Sequence, residues 1–204
     1  STIHSWLADW SQLSQLIFER SARLRVATTQ DTHDEAPEAA MNDYLDNIFP
    51  NVEVAENKLE ARLLASGLQP DGLEIPLRNM RVDAELFTEA NLPLLSEQMK
   101  RAQVYNRIIG SQTVEWQGEE LTLTQLATRL EHPDRDQRER GWRLMSARRL
   151  SDRPALNELW ADLLPPRQKI AENAGLPNYR AYVWQEKKRL DYTPADADTF
   201  HRAI

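Results

Sequence analysis

An all-α, predominantly helical fold carrying one short β-hairpin near residues 112–122 is what the sequence predicts. Three observations lead there. Apolar residues recur at steps of three and four through most of the 204 residues, which places them on one side of a 3.6-residue helix. Helix-start chemistry stands ahead of several of these runs, as in Thr122 with Gln125, Asp134 with Gln137, and Thr193 followed by Pro194. One stretch is β-prone instead, and Gln117-Gly118 at its middle is a two-residue hairpin signal.

Taken in order, Trp6, Trp10, Leu13, Ile17 and Leu24 form the apolar stripe of a first helix, which the polar stretch Thr28 to Glu35 breaks. A second helical pattern starts near Pro37 and carries Met41, Tyr44, Ile48, Val52, Ala55, Leu59 and Leu63; Pro50 inside it predicts a kink or short break. Gly67 and Pro70 to Gly72 make a turn. A shorter helix is predicted from Leu77 to Ala90, and Pro93 begins another, with Leu95, Met99, Ala102, Tyr105 and Ile109 inward and Gly110 as its stop.

After the hairpin, Thr122 and Gln125 can form a capping box, with Leu126 and Leu130 following in that helix. Asp134 opens a helix through Trp142, Met145 and Leu150. Asp152 caps the next, with Leu156, Leu159, Trp160, Leu163 and Ile170 inward and Gly175 ending it. Pro165-Pro166 removes two backbone donors there and predicts a bend or a division. Helices from Asn178 to Arg189 and from Thr193 onward complete the chain. The last has a start but no C-cap, so the sequence is read as the front part of a longer protein. The best candidate boundary is Gln69 to Ile75, dividing a helical hairpin region, 1–68, from a helical region with the β-hairpin, 69–204. No repeat of solenoid length emerges.

Composition narrows the function classes. Hydrophobic residues make up 41% and charged residues 28%, ordinary values for a globular protein. The net charge of −7 argues against non-specific binding to nucleic acid or anionic lipid. Cysteine is absent, which removes disulfides, thiol catalysis and thiolate metal sites and agrees with a cytoplasmic protein. No apolar run approaches the ~18 residues of a membrane span.

The residues that carry chemistry are few. His4, His33, His132 and His201 include no pair at helical spacing for a zinc ligand set. His33-Asp34-Glu35 is a compact ligand-type cluster in a polar turn and reads as a solvated loop. Glu119-Glu120 and Asp134/Asp136 are paired acids able to do general acid/base work if buried, yet they flank a hairpin turn and a helix start, where acids serve local ends. The arginines at 138, 140, 143, 148, 149 and 153 alternate with acids and read as a salt-bridged helical face. Trp6, Trp10, Trp142 and Trp160 read as core; Trp116 either packs a strand face on helices or covers a groove. By residues alone this is a helical domain without a catalytic or metal centre.

Three segments carry a resemblance: Leu92 to Leu126, Arg138 to Trp160, and Arg167 to Ile204. In order they hold a helix, the Gly-Ser-Gln-Thr-Val-Glu-Trp hairpin, two long helices, Ala-Gly-x-x-Asn-Tyr-Arg, and Asp-Tyr-Thr-Pro. Together they resemble the N-terminal half of oligoendopeptidase F-type zinc metallopeptidases, relatives of the thimet oligopeptidases. The resemblance implies the N-terminal helical part of a larger two-lobed peptidase, with a channel that admits short unfolded peptides. It implies that the HExxH helix, the zinc and the catalytic residues lie beyond Ile204, in a downstream catalytic domain of the same chain. This portion would then be inactive alone, bind no zinc, and form one wall of the channel. Asn178, Tyr179, Arg180 and Tyr182 are the candidates to line that wall through phenolic and guanidinium donors. Their structural alternative is an N-cap, two core rings and an arginine paired with an acid. Severed from its other half, the portion would expose apolar surface and could self-associate. The contrasting reading is a self-contained helical module that buries a partner helix or peptide in a groove.

Overall fold

A computed structural model describes residues 2–30 and 34–204. Of the His33-Asp34-Glu35 cluster, His33 lies outside the described residues. Asp34 caps a helix, its Oδ1 accepting the Ala36 N–H at 3.0 Å.

The elements follow as α1 (Ile3–Gln30), α2 (Glu35–Asp43), a π-helical turn (Tyr44–Ile48), α3 (Phe49–Ala65), α4 (Glu74–Leu86), a 3₁₀ turn (Glu89–Asn91), α5 (Leu92–Gly110), β1 (Thr113–Trp116), β2 (Glu119–Thr122), α6 (Leu123–Ala127), a 3₁₀ turn (Thr128–Glu131), α7 (Arg135–Ser151), α8 (Arg153–Asn173), α9 (Tyr179–Glu186) and α10 (Pro194–Ala203). The helical prediction and the single hairpin are both present. The chain folds into two compact units, one of residues 1–45 and 99–162, the other of residues 46–98 and 163–204.

In the first unit the hairpin is the organiser. Gln117 and Gly118 take φ of 54° and 87°, the paired left-handed conformation that turns a two-residue hairpin. The antiparallel register sets Val114 opposite Leu121 and Trp116 opposite Glu119. Trp116, Leu126 and Met145 then form a core with Val114, Leu121, Leu123, Leu130 and Leu144 against it. The capping box between Thr122 and Gln125 is formed in both directions. Gly141 lets α7 approach closely, since a Cβ there would stand 3.3 Å from Leu130 Cδ2.

The second unit has its core at Leu86, Ile170, Ala171 and Tyr182, flanked by Val82, Leu94, Leu95, Leu176 and Tyr179. Asn91 is 2% exposed within it. Its amide donates to the Ile170 carbonyl at 3.0 Å and its Oδ1 accepts from Asn173 at 2.9 Å, so both ends of the Asn91 amide are satisfied. Gly175 ends α8 at φ 72°, with the Leu176 N–H reaching back to the Ala171 carbonyl at 2.9 Å.

Several local expectations are corrected. α4 begins at Glu74 and ends at Leu86, where Phe87 turns extended. On α5 the inward face is rotated: Leu92 and Ser96 are buried while Met99, Tyr105 and Ile109 are exposed. Polar residues take inward places there because they find partners, as Gln103 does in Asn42 at 3.2 Å. Trp142, Leu150 and Trp160 point outward; on α7 the buried face is Gly141 and Met145. Leu13, expected on the buried stripe of α1, is half exposed. Asp152 spends its side chain on Arg148 (2.5 Å) and Gln112 (2.8 Å) instead of capping α8. Pro165 and Pro166 do not divide α8, which is continuous from Arg153 to Asn173.

Candidate functional site

The first turn of α9 assembles the four residues singled out in the sequence. Asn178 has extended backbone and caps the helix, its Oδ1 accepting the Ala181 N–H at 3.0 Å. That fixes the direction in which Tyr179, Arg180 and Tyr182 leave the helix. Tyr179 donates its hydroxyl to Gln98 Oε1 at 2.9 Å, and the Arg167 guanidinium lies over its ring, 5.3 Å from the centroid. The Tyr179 and Tyr182 rings stack at 6.0 Å and 14°. Tyr182 is buried, and burial, with Glu186 and Tyr179 next, pushes its hydroxyl up to about 12, so it remains a neutral phenol. Arg180 is half exposed and donates to Asp198 of α10 at 3.1 Å. The structure thus brings the four onto one helical turn, with Asn178 and Arg180 exposed, Tyr179 half-buried and Tyr182 buried.

A second polar constellation lies in the same unit. Glu53, Glu56 and Glu60 stand three and four residues apart along one face of α3. Asp83 of α4 and Lys188, just beyond α9, act on the same place, and the two form an ion pair. Burial pushes the Glu60 carboxyl up to about 7, with Asp83 and Glu56 adding to the rise and Lys188 opposing it. Glu53 moves up for the same reasons, burial first. Sequence reading missed this group, although acids at 53, 56 and 60 beside the stripe of Val52, Ala55, Leu59 and Leu63 are a legible signal.

The paired acids serve local structure. Glu120 accepts from Thr113 Oγ1 at 2.6 Å across the hairpin, and Asp134 caps α7 by accepting the Asp136 N–H at 2.9 Å. An open concavity of about 510 Å³ lies along α7 between Glu115, Asp136, Glu139, Arg140, Arg143 and Leu144. Its charges are partly matched, Arg143 with Glu139 at 2.7 Å and Arg140 over the Trp116 ring at 5.0 Å. His4, His132 and His201 are exposed, and His132 Nδ1 accepts the Asp134 N–H at 3.1 Å. Among the described residues no group of three or more His, Cys, Asp or Glu is placed to hold a metal ion, and no helix is long and apolar enough to cross a membrane.

This succession of helices around one hairpin is a fold found in solved structures of peptidases. The chain matches a protein assigned as an oligoendopeptidase F over 98% of its length, with a TM-score of 0.89 and 22% identity. It matches a Bacillus anthracis str. Ames protein of the same assignment over 89%, with a TM-score of 0.79 and 19% identity. A structure of PZ peptidase A with an inhibitor matches over 96%, with a TM-score of 0.80 and 22% identity. The chain spans about a third of these proteins, 36%, 34% and 34% of their lengths. At such identities the likeness is one of fold. No protein-family profile and no curated protein matches the sequence.

Proposed function

We propose that this chain is the non-catalytic N-terminal helical portion of a cytoplasmic, zinc-dependent oligoendopeptidase that hydrolyses short unfolded peptides, and that it forms one wall of the substrate channel. The observation that carries the reading is the match in fold over 98% of this chain to 36% of an oligoendopeptidase F-assigned structure. The donor set of this chain does not fit a zinc centre: its histidines are far apart in sequence, and the described ones are not gathered with acids. In this reading the zinc and the catalytic groups belong to the downstream catalytic domain, and no step of peptide hydrolysis runs through these residues. What the chain supplies is shape and donors. Arg180, half exposed and paired with Asp198 at 3.1 Å, is the group best able to meet a peptide carboxylate. Asn178, Tyr179 and Tyr182 are its neighbours in the same proposed stretch of wall, with Asn178 capping the helix that carries them.

The full polypeptide that continues this sequence should cleave a quenched fluorescent peptide and hold stoichiometric zinc, while the 204-residue chain alone should do neither. Arg180→Ala in the full polypeptide should raise KM by about three- to tenfold without lowering the melting temperature. Cleavage by the short chain, or a continuation without an HExxH helix, overturns the proposal. A second reading is favoured by the exposed Trp142, Leu150 and Trp160 on α7 and α8: a helical interaction module that buries a partner helix or peptide through exposed apolar side chains. Loss of a binding partner on Trp142→Gln, with no peptidase in the full polypeptide, would select it.

A further inference from the structure

The stripe of α1 has a period that its own unit does not use. Ile3, Trp10, Ile17 and Leu24 stand seven residues apart, and Trp6, Leu13, Arg20 and Ala27 follow each of them by three. That is a 3.5-residue repeat over four heptads, the spacing of a helix that pairs with another helix along one seam. Arg20 is the one charge on it.

Within the chain the partner is short. α1 has 28 residues and a length of about 42 Å, whereas α2, the helix that packs along it, has nine and spans about 14 Å. Leu24 is the buried residue of α1, and Thr28 and Glu38 line a common small cavity, so α2 covers the C-terminal end. Ahead of that end Leu13 and Leu16 are 50% and 62% exposed, and the Trp6 and Trp10 rings meet at 5.1 Å.

We propose that α1 is a dimer surface and that its occupant is the α1 of a second copy of this chain, lying antiparallel about a two-fold axis beside residues 13–17. Charge selects this arrangement. Run antiparallel, the seam sets Leu13 against Ile17 of the partner subunit, and Leu16 on its flank meets Leu16 of the partner subunit. Trp10 comes over Arg20 of the partner subunit, a cation–π pairing that gives the one seam charge a place. Asp9 and Arg23 lie on the flank of Leu16, two heptads apart, so each Asp9 faces the partner subunit's Arg23, twice by symmetry. A parallel pair would set Arg20 against Arg20 of the partner subunit inside the seam and make neither pairing. The overlap of residues 9–23 is about 22 Å of helix, which places the dimer at the small, weak end of specific interfaces. One patch pairing with itself is closed, so assembly stops at two.

Sedimentation of the 204-residue chain over a concentration series should show monomer passing to dimer and no larger species. Leu13→Glu with Leu16→Glu, both at exposed positions, should weaken the dimer by about a hundredfold or more. The helical circular dichroism and melting temperature of the dilute chain should stay unchanged. The sequence has no cysteine, so introduced ones report the register without background. Chains with Asp9→Cys mixed with chains with Arg23→Cys should cross-link under mild oxidation, and Asp9→Cys alone should not. Cross-linking of Asp9→Cys alone, a monomer at every concentration, or a dimer unmoved by the leucine changes overturns the proposal. So does a full polypeptide that stays monomeric while the 204-residue chain pairs, since the continuation of the chain then covers α1. None of these results bears on the peptidase reading, which is judged by zinc content and cleavage.

Discussion

In the unit of residues 1–45 and 99–162, Glu139 and Asp152 are held ionised by guanidinium groups. Arg143 pulls the Glu139 carboxyl below its ordinary value, and Arg148 with Gln112 does the same for Asp152. In the unit of residues 46–98 and 163–204, burial does the opposite to Glu53 and Glu60. Its lowered carboxylate, Asp196, owes the shift to the Thr193 side chain and backbone as the N3 partner of a capping box. Acid therefore acts on the two units in opposite senses. The first keeps its ionic support down to the ordinary carboxylate values and loses it as pH falls further, through the lowered ones. The second is firmest at mildly acid pH and is loosened as pH rises toward 7. The lesson is that a carboxylate's neighbours, more than its presence, decide which way protons push a fold.

The contrast extends to the cores, where it can be broken by mutation. Trp116→Ala should have the largest effect, about 3–5 kcal/mol by chemical denaturation, because the indole is 4% exposed and joins hairpin, α6 and α7. Its loss should appear as faster exchange across 113–145 and leave 163–186 protected; equal loosening of both units would dissolve the distinction drawn between them. Asn91→Ala should cost about 1–3 kcal/mol, with the change concentrated around Asn173, whose amide loses its acceptor, and the Ile170 carbonyl, which keeps only the Ala174 N–H of its two donors. Smaller still, Thr122→Ala should cost about 1 kcal/mol through the lost capping box. Trp142→Gln, at a position 60% exposed, should change stability by no more than about 0.5 kcal/mol.

The parts of the fold legible in the sequence are those fixed by local backbone chemistry. Gln117-Gly118, the Thr122 and Thr193 caps and Gly175 each do what their residue types dictate, because φ preference and side-chain reach act over two to five residues. Helix orientation was harder to read. On α5 and α7 the hydrophobic pattern points to Met99, Tyr105, Trp142, Met145 and Leu150; of these the folded chain buries Met145, and it buries Ser96 and Gly141 in place of the others. A small residue allows an approach that a large one forbids, and which approach occurs is set by an element distant in sequence. The four residues at the start of α9 were legible as a group, since Asn178 caps whatever follows it. The Glu60 cluster was not, because its electrostatics need Asp83 and Lys188, 23 and 128 positions further along the chain.

Pro165 and Pro166 in α8 bear on how this helix comes to exist. Neither ring carries an amide hydrogen, so hydrogen bonding cannot zip through the middle of the helix. Twelve residues precede the pair and seven follow it, Arg153 to Leu164 and Arg167 to Asn173. Isolated helices shorter than about 12–15 residues are marginal in water; seven falls well short of that range and twelve only touches its lower edge. Helix–coil cooperativity along α8 is thus interrupted at its centre, and its continuity comes from side chains such as Leu163 and Ile170 finding their places in the fold. Cut free of its neighbours, the segment would read as two short coils joined by a stiff pair of rings.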